Sequence, residues 1–140
     1  MREILFKAKR VDTGEWVQGN FCYQKLYCYD NRITPRPIII GELSNTGIVK
    51  FEIDESTLCQ YTGVTDKNGQ KIWENDILVA HLDEKFPEDE TYKQVVWHNS
   101  GFCMMEKESP DCELLDDFTT QNFAVCGNVF DDKEILERKE

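Results

Sequence analysis

A four-residue turn signal, Asp66–Gly69, lies near the middle of the chain, between two stretches that alternate in polarity. Glycine adopts positive φ angles at no steric cost and asparagine tolerates them, so this pair of residues favours the tight turn of a β-hairpin. The first arm is Leu58–Val64, whose alternation is typical of a strand with two unlike faces. The second arm is Gln70–Trp73. The sequence therefore predicts a hairpin here.

A second polar corner, Glu74–Asp76, precedes the apolar run Ile77–Ala80, which predicts a short buried strand. A calcium loop of the EF-hand type does not fit the turn, because that loop has glycine at its sixth position and glutamate at its twelfth. Counted from Asp66, those positions hold Lys71 and Ile77. The hairpin interpretation is therefore favoured over a metal loop.

This central stretch resembles the signature of the YopX family, which comprises small proteins of bacteriophages and prophages. The similar residues are Gln60–Gly63, Asp66–Gly69 and Ile72–Ile77, with Asn75 where the family usually has glycine. Both ends of the chain are also similar to the family, through Phe6–Lys9, Thr13–Val17, Gly127–Asp131 and Glu134–Leu136. The resemblance implies a mostly β fold with a small barrel of the Src-homology-3 type in a phage-encoded cytoplasmic protein. It implies no established activity and no catalytic residues.

Short alternating and apolar segments predict antiparallel strands along most of the chain. We predict a mostly β protein with an N-terminal antiparallel β region over residues 1–57. A small antiparallel β-barrel of the Src-homology-3 type, ending in a short C-terminal helix, would follow over residues 58–140, as a second region or within one compact unit. Pro35-Arg36-Pro37 predicts a loop or the rim of an edge strand. Cys112–Phe118 fits a helix and a strand equally well.

Charge is distributed unevenly along the chain. Residues 1–57 contain 8 Lys and Arg and 8 Asp and Glu, a net charge of 0. Residues 58–140 contain 8 and 19, a net charge of −11. Direct binding to a nucleic-acid backbone requires clustered Lys and Arg, which this second region lacks. The acidic excess indicates either a solvated surface that aids solubility or a surface that meets a basic partner.

The surface assigned to such a partner combines an acidic loop with a row of aromatic residues. His81–Thr91 has few apolar residues and predicts an acidic loop. Phe21–Tyr29 has aromatic residues at odd positions, which share a face if one strand spans the segment. That face is either a binding surface or a packing seam. The assigned residues are Asp83, Glu84, Glu88, Asp89, Glu90, Tyr23, Tyr27 and Tyr29.

The six cysteines, at positions 22, 28, 59, 103, 112 and 126, lack the close pairwise spacing of zinc ligands. We predict that they are small apolar residues kept reduced in a cytoplasmic protein. The charged start of the chain has no apolar segment typical of a signal peptide. No apolar run approaches the roughly 18 residues of a membrane helix. These features predict the bacterial host cytoplasm and no membrane partner.

No glycine-rich phosphate loop, dinucleotide fingerprint or nucleophile elbow occurs in the sequence. We therefore predict no catalytic residue, no cofactor and no metal. We predict a non-enzymatic module that binds a host or phage protein, and the chain could also form a homo-oligomer. A metal-dependent hydrolase that uses loop carboxylates is a second alternative. The first alternative is a nucleic-acid-binding small β-barrel, which rests on fold analogy. Its contact residues would be Lys7, Lys9, Arg10, Arg32, Arg36, Trp16 and the tyrosines.

Overall fold

The computed structural model describes residues 3–27, 33–43, 47–81, 90–106, 109 and 111–137, with their side chains apart from those at 26–27, 33–34 and 42–43. The chain divides into two compact units, Met1–Gln60 and Tyr61–Glu140. The described strands are β1 (Phe6–Arg10), β2 (Trp16–Tyr27), β3 (Ile33–Leu43), β4 (Gly47–Thr65), β5 (Lys71–Trp73), β6 (Asp76–Ala80), β7 (Thr91–His98), β8 (Gly101–Met105), β9 (Glu113–Leu114) and β10 (Ala124–Asn128). The described helices are α1 (Asp117–Asn122) and α2 (Lys133–Glu137). The prediction of a mostly β protein is therefore confirmed.

The first unit consists of β1, β2, β3 and the larger part of β4. β1 pairs with both β2 and β4, and β3 also pairs with both, always in the antiparallel sense. β4 serves two neighbours because β3 lies beside its first residues and β1 lies beside Ile53–Gln60. Ala8, Ile39 and Ile53 are buried together and form the core of this unit.

Two prolines, Pro35 and Pro37, lie inside β3 rather than in a loop. Their part of the strand pairs with β2, and the pairing with β4 begins only at Ile38. Proline has no amide hydrogen to donate, so it fits a stretch that has a neighbour on one side. The loop interpretation of this segment is therefore wrong. β3 lies between β2 and β4 in the sheet, so it is not an edge strand, and only its first part has a single neighbour.

The second unit contains an antiparallel sheet with the order β10-β6-β7-β8-β9. The last residues of β4 pair with β5 and form the predicted hairpin, with Tyr61 opposite Trp73 and Thr65 opposite Lys71. The register shifts between these two pairs, as at a β-bulge. Six buried side chains form the core of this unit: Ile72, Leu78, Ala80, Val95, Met104 and Phe123.

The ambiguous segment Cys112–Phe118 contributes to a strand and to a helix. Glu113–Leu114 form β9, and α1 begins at Asp117. The Asp116 carboxylate caps this helix, since it accepts hydrogen bonds from the amides of Phe118 and Thr119 at 3.0 and 3.3 Å. In return, the Thr119 hydroxyl accepts a hydrogen bond from the Asp116 amide at 3.3 Å. This reciprocal capping box explains where the helix starts.

The C-terminal part of the chain contains a strand and the predicted helix. β10 pairs with β6 and has a register shift between Val125 and Gly127, as at a β-bulge. The predicted C-terminal helix is present as α2, which begins at Lys133. Neither of the two described helices has the length or the apolar character that crossing a bilayer demands.

Candidate functional site

The acidic loop assigned to a partner lies mostly outside the described residues. Four of its assigned residues fall within positions 82–89: Asp83, Glu84, Glu88 and Asp89. Glu90 is described and exposed, next to the start of β7. Its carboxylate accepts a hydrogen bond from the Tyr92 hydroxyl and lies 3.9 Å from Nε2 of His81. Glu90 is thus exposed to solvent while its carboxylate contacts neighbouring side chains.

The aromatic row on β2 divides between the core and the surface. Phe21 packs against the first-unit core, and its ring centroid lies 5.1 Å from that of Tyr23. Tyr23 is 51% exposed, and its hydroxyl donates a hydrogen bond to Glu55. That hydrogen bond, followed by burial and the Glu55 charge, raises the pKa of Tyr23 above its ordinary value. The Tyr27 side chain and all of Tyr29 lie outside the described residues.

A cation–aromatic cluster lies on the first unit, where the nucleic-acid alternative expected its contacts. Nζ of Lys7 lies 4.7 Å from the Trp16 ring centroid, and Nζ of Lys9 lies 5.4 Å from it. These distances are in the range of cation–π contacts. A base that stacks on Trp16 would compete with the two lysine side chains for its ring.

The arginines of the same set are paired with carboxylates. The Arg10 guanidinium lies 2.6 Å from the Asp12 carboxylate. Mainly through their hydrogen bond, Asp12 raises the pKa of Arg10 and Arg10 lowers the pKa of the Asp12 carboxyl. Arg36 lies 3.2 Å from Glu52, with both side chains exposed. Arg32 lies outside the described residues. The described arginines therefore add no net positive charge to this surface.

The Asp66 carboxylate organises the central hairpin. Its Oδ1 accepts hydrogen bonds from the amides of Asn68 and Gln70 at 2.8 and 2.9 Å. Its Oδ2 accepts a hydrogen bond from the Val125 amide in β10 at 2.9 Å. Asp66 is only 3% exposed, so these three amides replace water around a buried charge. The aspartate of the central motif is therefore structural.

The Glu74–Asp76 corner has the same structural character. Asn75 adopts a φ of 71°, in the left-handed region that favours glycine and, after it, asparagine. Its amide donates to the Val95 carbonyl at 2.8 Å, and its carbonyl accepts from the Val129 amide at 3.0 Å. Oδ2 of buried Asp76 accepts from the Trp73 amide at 2.8 Å. The corner thus joins three segments of the second unit and needs a residue that tolerates positive φ.

An ion pair that the sequence did not predict links β7 to β9, with its lysine buried and its glutamate exposed. Nζ of Lys93 lies 2.6 Å from Oε1 of Glu113, and the lysine side chain is only 8% exposed. The same Nζ lies 5.9 Å from the Phe123 ring centroid. Only the pairing of strands brings Lys93 and Glu113 together, so no sequence motif could have identified them.

The cysteines differ from the prediction at one pair. Cys103 in β8 and Cys112 form a disulfide, with their Cα atoms 5.8 Å apart, so the prediction of six reduced cysteines is wrong for these two. Their positions are nine residues apart and become neighbours because β9 folds back beside β8. Cys22, Cys59 and Cys126 are free thiols. Burial, followed by the Asp132 charge, raises the pKa of Cys126 and keeps this thiol protonated.

A cavity of about 400 Å³ opens between α2 and the β7–β8 part of the sheet. Val96 and Met105 alternate with the core residues Val95 and Met104, so they point to the opposite face of the sheet. Leu136 of α2 completes the apolar part of the lining. The charged part of the lining is Glu106, Glu137 and Lys133. The sequence predicted α2 but gave no sign that it covers a cavity.

Metal-ligating side chains are not clustered in the described part of the chain. Within it, no three His, Cys, Asp or Glu side chains are arranged to hold a metal ion. Of the loop carboxylates that the hydrolase alternative would use, Glu90 is described, and those at 83, 84, 88 and 89 lie outside the described residues. That alternative stays a prediction.

Comparison with known proteins identifies a family and one solved structure of similar fold. The family model described as YopX protein matches residues 6–137. The structure described as protein EF1440 from Enterococcus faecalis is 20% identical, with a TM-score of 0.55, over 97% of this chain and 99% of that chain. At this identity the likeness concerns the fold alone. No curated protein matches the chain.

Proposed function

This chain belongs to the YopX family, whose model matches residues 6–137, and from that premise we propose that it is a non-enzymatic interaction module. Its partner is a basic host or phage protein in the bacterial cytoplasm, bound through the second unit. The observation that carries the proposal is the division of charge. The first unit has 8 basic and 8 acidic residues, and the second has 8 and 19, so the whole net charge of −11 belongs to residues 61–140.

The second unit keeps an acidic excess even after its structural carboxylates are counted. Asp66 and Asp76 are buried, and Asp116 caps α1. Other acidic side chains are exposed, among them Asp117 and Glu134. A surface of one sign attracts a partner of the other sign and speeds their encounter, and salt weakens this attraction. A basic protein is therefore the partner that this unit suits best.

The described polar groups support a function without catalysis. The oxygens of Asp66 bind backbone amides, and the buried amine of Lys93 contacts Glu113. The Cys126 thiol has a raised pKa and is a poor nucleophile at neutral pH. Catalytic acids, bases and nucleophiles instead have pKa values tuned towards the working pH. These groups are used to hold the fold.

The barrel type belongs to the same proposal. We infer a barrel of the Src-homology-3 type because β6, β7 and β8 form a meander and β10 returns, after α1, to pair with β6. Such a barrel removes free sheet edges by closure. An experimental structure in which the sheet of the second unit stays open would refute the barrel and leave the interaction module intact.

Affinity capture from host cells tests the interaction. The tagged chain is compared with a variant that carries Glu88→Gln, Asp89→Asn, Glu90→Gln and Asp117→Asn, at two salt concentrations and after nuclease treatment. We expect a stoichiometric protein partner that survives nuclease, weakens with salt and is lost from the acidic-residue variant.

The matched control neutralises two exposed carboxylates of the first unit, Glu15→Gln and Glu52→Gln. It should retain the partner, because the first unit carries no net charge. Equal loss in the control and in the acidic-residue variant would contradict the proposal, as would no partner at low salt. Recovery of a second, differently tagged copy of the chain would identify the partner as the chain itself.

A second candidate function is nucleic-acid binding by the first unit. The specific observation in its favour is the contact of Lys7 and Lys9 with Trp16. Oligonucleotide binding should then quench Trp16 fluorescence, and its affinity should fall steeply with added salt. Affinity that does not change with salt, or quenching that survives Lys7→Gln together with Lys9→Gln, would eliminate this candidate.

A further inference from the structure

The cavity under α2 combines an apolar lining with charged groups. Val96 and Met105 of the sheet and Leu136 of the helix provide the apolar surface. The carboxylates of Glu106 and Glu137 and the ammonium of Lys133 provide the charges. Its volume of about 400 Å³ lies within the range of roughly 300–1,000 Å³ typical of ligand pockets. This is a site with room for a ligand and a definite chemical character.

The arrangement suits a ligand with an aliphatic stem and a cationic head. Arginine packs its methylene groups on apolar surface while its guanidinium reaches carboxylates, with which it forms charge-assisted hydrogen bonds. Two carboxylates outnumber the one ammonium in the lining. That ammonium, on Lys133, is already 4.0 Å from Glu137 and highly exposed. The described lining residues therefore carry a net negative charge, like the whole second unit.

We propose that this cavity is the subsite that takes an arginine side chain of the basic partner. The proposal rests on the proposed function, which it deepens by naming the recognised group. The arginine stem lies against Val96, Met105 and Leu136, and its guanidinium binds Glu106 and Glu137.

Backbone contacts on both sides restrain Glu106. Met105, the residue before it, is the last residue of β8 and pairs with Gln94 of β7. The Ser109 amide donates to the Glu106 carbonyl at 3.2 Å. A restrained backbone loses less conformational entropy on binding and so favours affinity.

Methyl-resolved NMR on the full oxidised chain tests the subsite. The probe is a short capped glycine peptide with one central arginine, and the matched peptides carry citrulline or norleucine instead. Citrulline keeps the shape of arginine without its charge, and norleucine keeps only the apolar stem. We expect saturable shifts of the Val96, Met105 and Leu136 methyl signals with the arginine peptide, and affinity lower by about threefold or more with citrulline.

Charge variants of the lining give effects of opposite sign. Glu106→Gln with Glu137→Gln should weaken arginine binding about threefold, whereas Lys133→Gln should strengthen it about twofold. Glu134→Gln is the matched control, because Glu134 lies on the same helix but does not line the cavity. It should leave the arginine affinity close to that of the wild type. The Glu→Gln substitutions keep side-chain length, and Lys133 is highly exposed, so we expect folding to be preserved. Unperturbed core methyl signals check this.

Each outcome separates this proposal from the proposed function. Equal shifts with citrulline, or equal affinity in Glu134→Gln and the Glu106/Glu137 double variant, overturn the arginine subsite. Shifts that saturate elsewhere in residues 61–140, with the cavity methyls unmoved, also overturn the subsite but leave the acidic module standing. Failure of the proposed function would instead appear in affinity capture, if the acidic-residue variant recovered the partner as well as the wild type does.

Discussion

The two units of the chain are both antiparallel β structures, yet they use polar groups in different ways. In the first unit, the ion pairs Arg10–Asp12 and Arg36–Glu52 lie near the surface. Within each pair, the positive and the negative charge neutralise each other. In the second unit, Asp66 and Asp76 are buried and accept hydrogen bonds from backbone amides. A further excess of exposed carboxylates remains in that unit. Two antiparallel β units can therefore place their charges differently. The first unit pairs opposite charges at the surface, whereas the second buries some carboxylates and leaves an excess of others exposed.

The largest expected loss of stability comes from adding a Cβ atom at a glycine of the first unit, where two strand backbones lie close together. A Cβ atom at Gly19 would overlap the Ile40 carbonyl oxygen and lie 2.8 Å from its carbon, so β2 and β3 would have to separate. We expect Gly19→Ala to lower the free energy of unfolding by about 4 kcal/mol. The matched change in the second unit is Gly101→Ala, whose Cβ would lie 3.6 Å from Cδ2 of Leu114, an ordinary van der Waals contact. Nothing has to move to admit this Cβ, so the variant should lose less than about 1 kcal/mol. Urea unfolding measures both, and equal losses would contradict the distinction.

The next effect tests whether carboxylates hold the second unit together. Asp66→Ala removes an acceptor from three backbone amides in a site that water hardly reaches. We expect a loss of about 3 kcal/mol in the free energy of unfolding. The control in the first unit is Asp12→Ala, which removes an exposed carboxylate that pairs with neighbouring Arg10, and its denaturation midpoint should be unchanged. If the denaturation midpoint fell as far in Asp12→Ala as in Asp66→Ala, carboxylates would stabilise both units equally.

A smaller effect concerns the positive φ of Asn75. A β-branched residue is strained in this conformation, so Asn75→Val should destabilise the chain by about 2 kcal/mol. Asn75→Gly should be close to neutral, because glycine adopts this φ without strain. Thermal unfolding of the two variants is the measurement. If valine were tolerated as well as glycine, backbone conformation would not explain the residue at this corner.

The smallest effect is a pH dependence that belongs to the first unit. The hydrogen bond to Glu55 raises the pKa of Tyr23 above 10.0, its ordinary value. A raised folded-state pKa means that this contribution to stability is complete below the ordinary value and is lost as the pH rises through the raised one. Ultraviolet absorbance should therefore show one tyrosine ionising late. That late step should be absent from Tyr23→Phe and shifted to lower pH in Glu55→Gln. Its persistence in Glu55→Gln would assign the shift to another cause.

Much of the local structure could be predicted from the sequence because it depends on short-range chemistry. The central hairpin, the buried strand after it and the C-terminal helix each follow from turn residues or from local periodicity. The strand around the prolines of β3 was harder to predict. A proline prevents hydrogen bonding to a neighbouring strand on one side, but it does not prevent strand formation. Segment Cys112–Phe118 could not be assigned because helix and strand spacing coincide there, and the Asp116 cap resolves it.

The mostly β character, the turns and the division of charge depend on residue type and on neighbours along the chain, so they can be read from the amino-acid sequence. The contacts of the charged and sulfur-containing side chains depend on the tertiary structure. Strand pairing brings Lys93 to Glu113, and Cys103 to Cys112. The packing of the hairpin turn against β10 brings the Asp66 carboxylate to the amide of Val125, and the packing of the helix on the sheet places α2 over Val96. Each of these contacts joins residues that are separated along the chain. Their distance is set by strand register and by the packing of turns and helices, which no local pattern encodes.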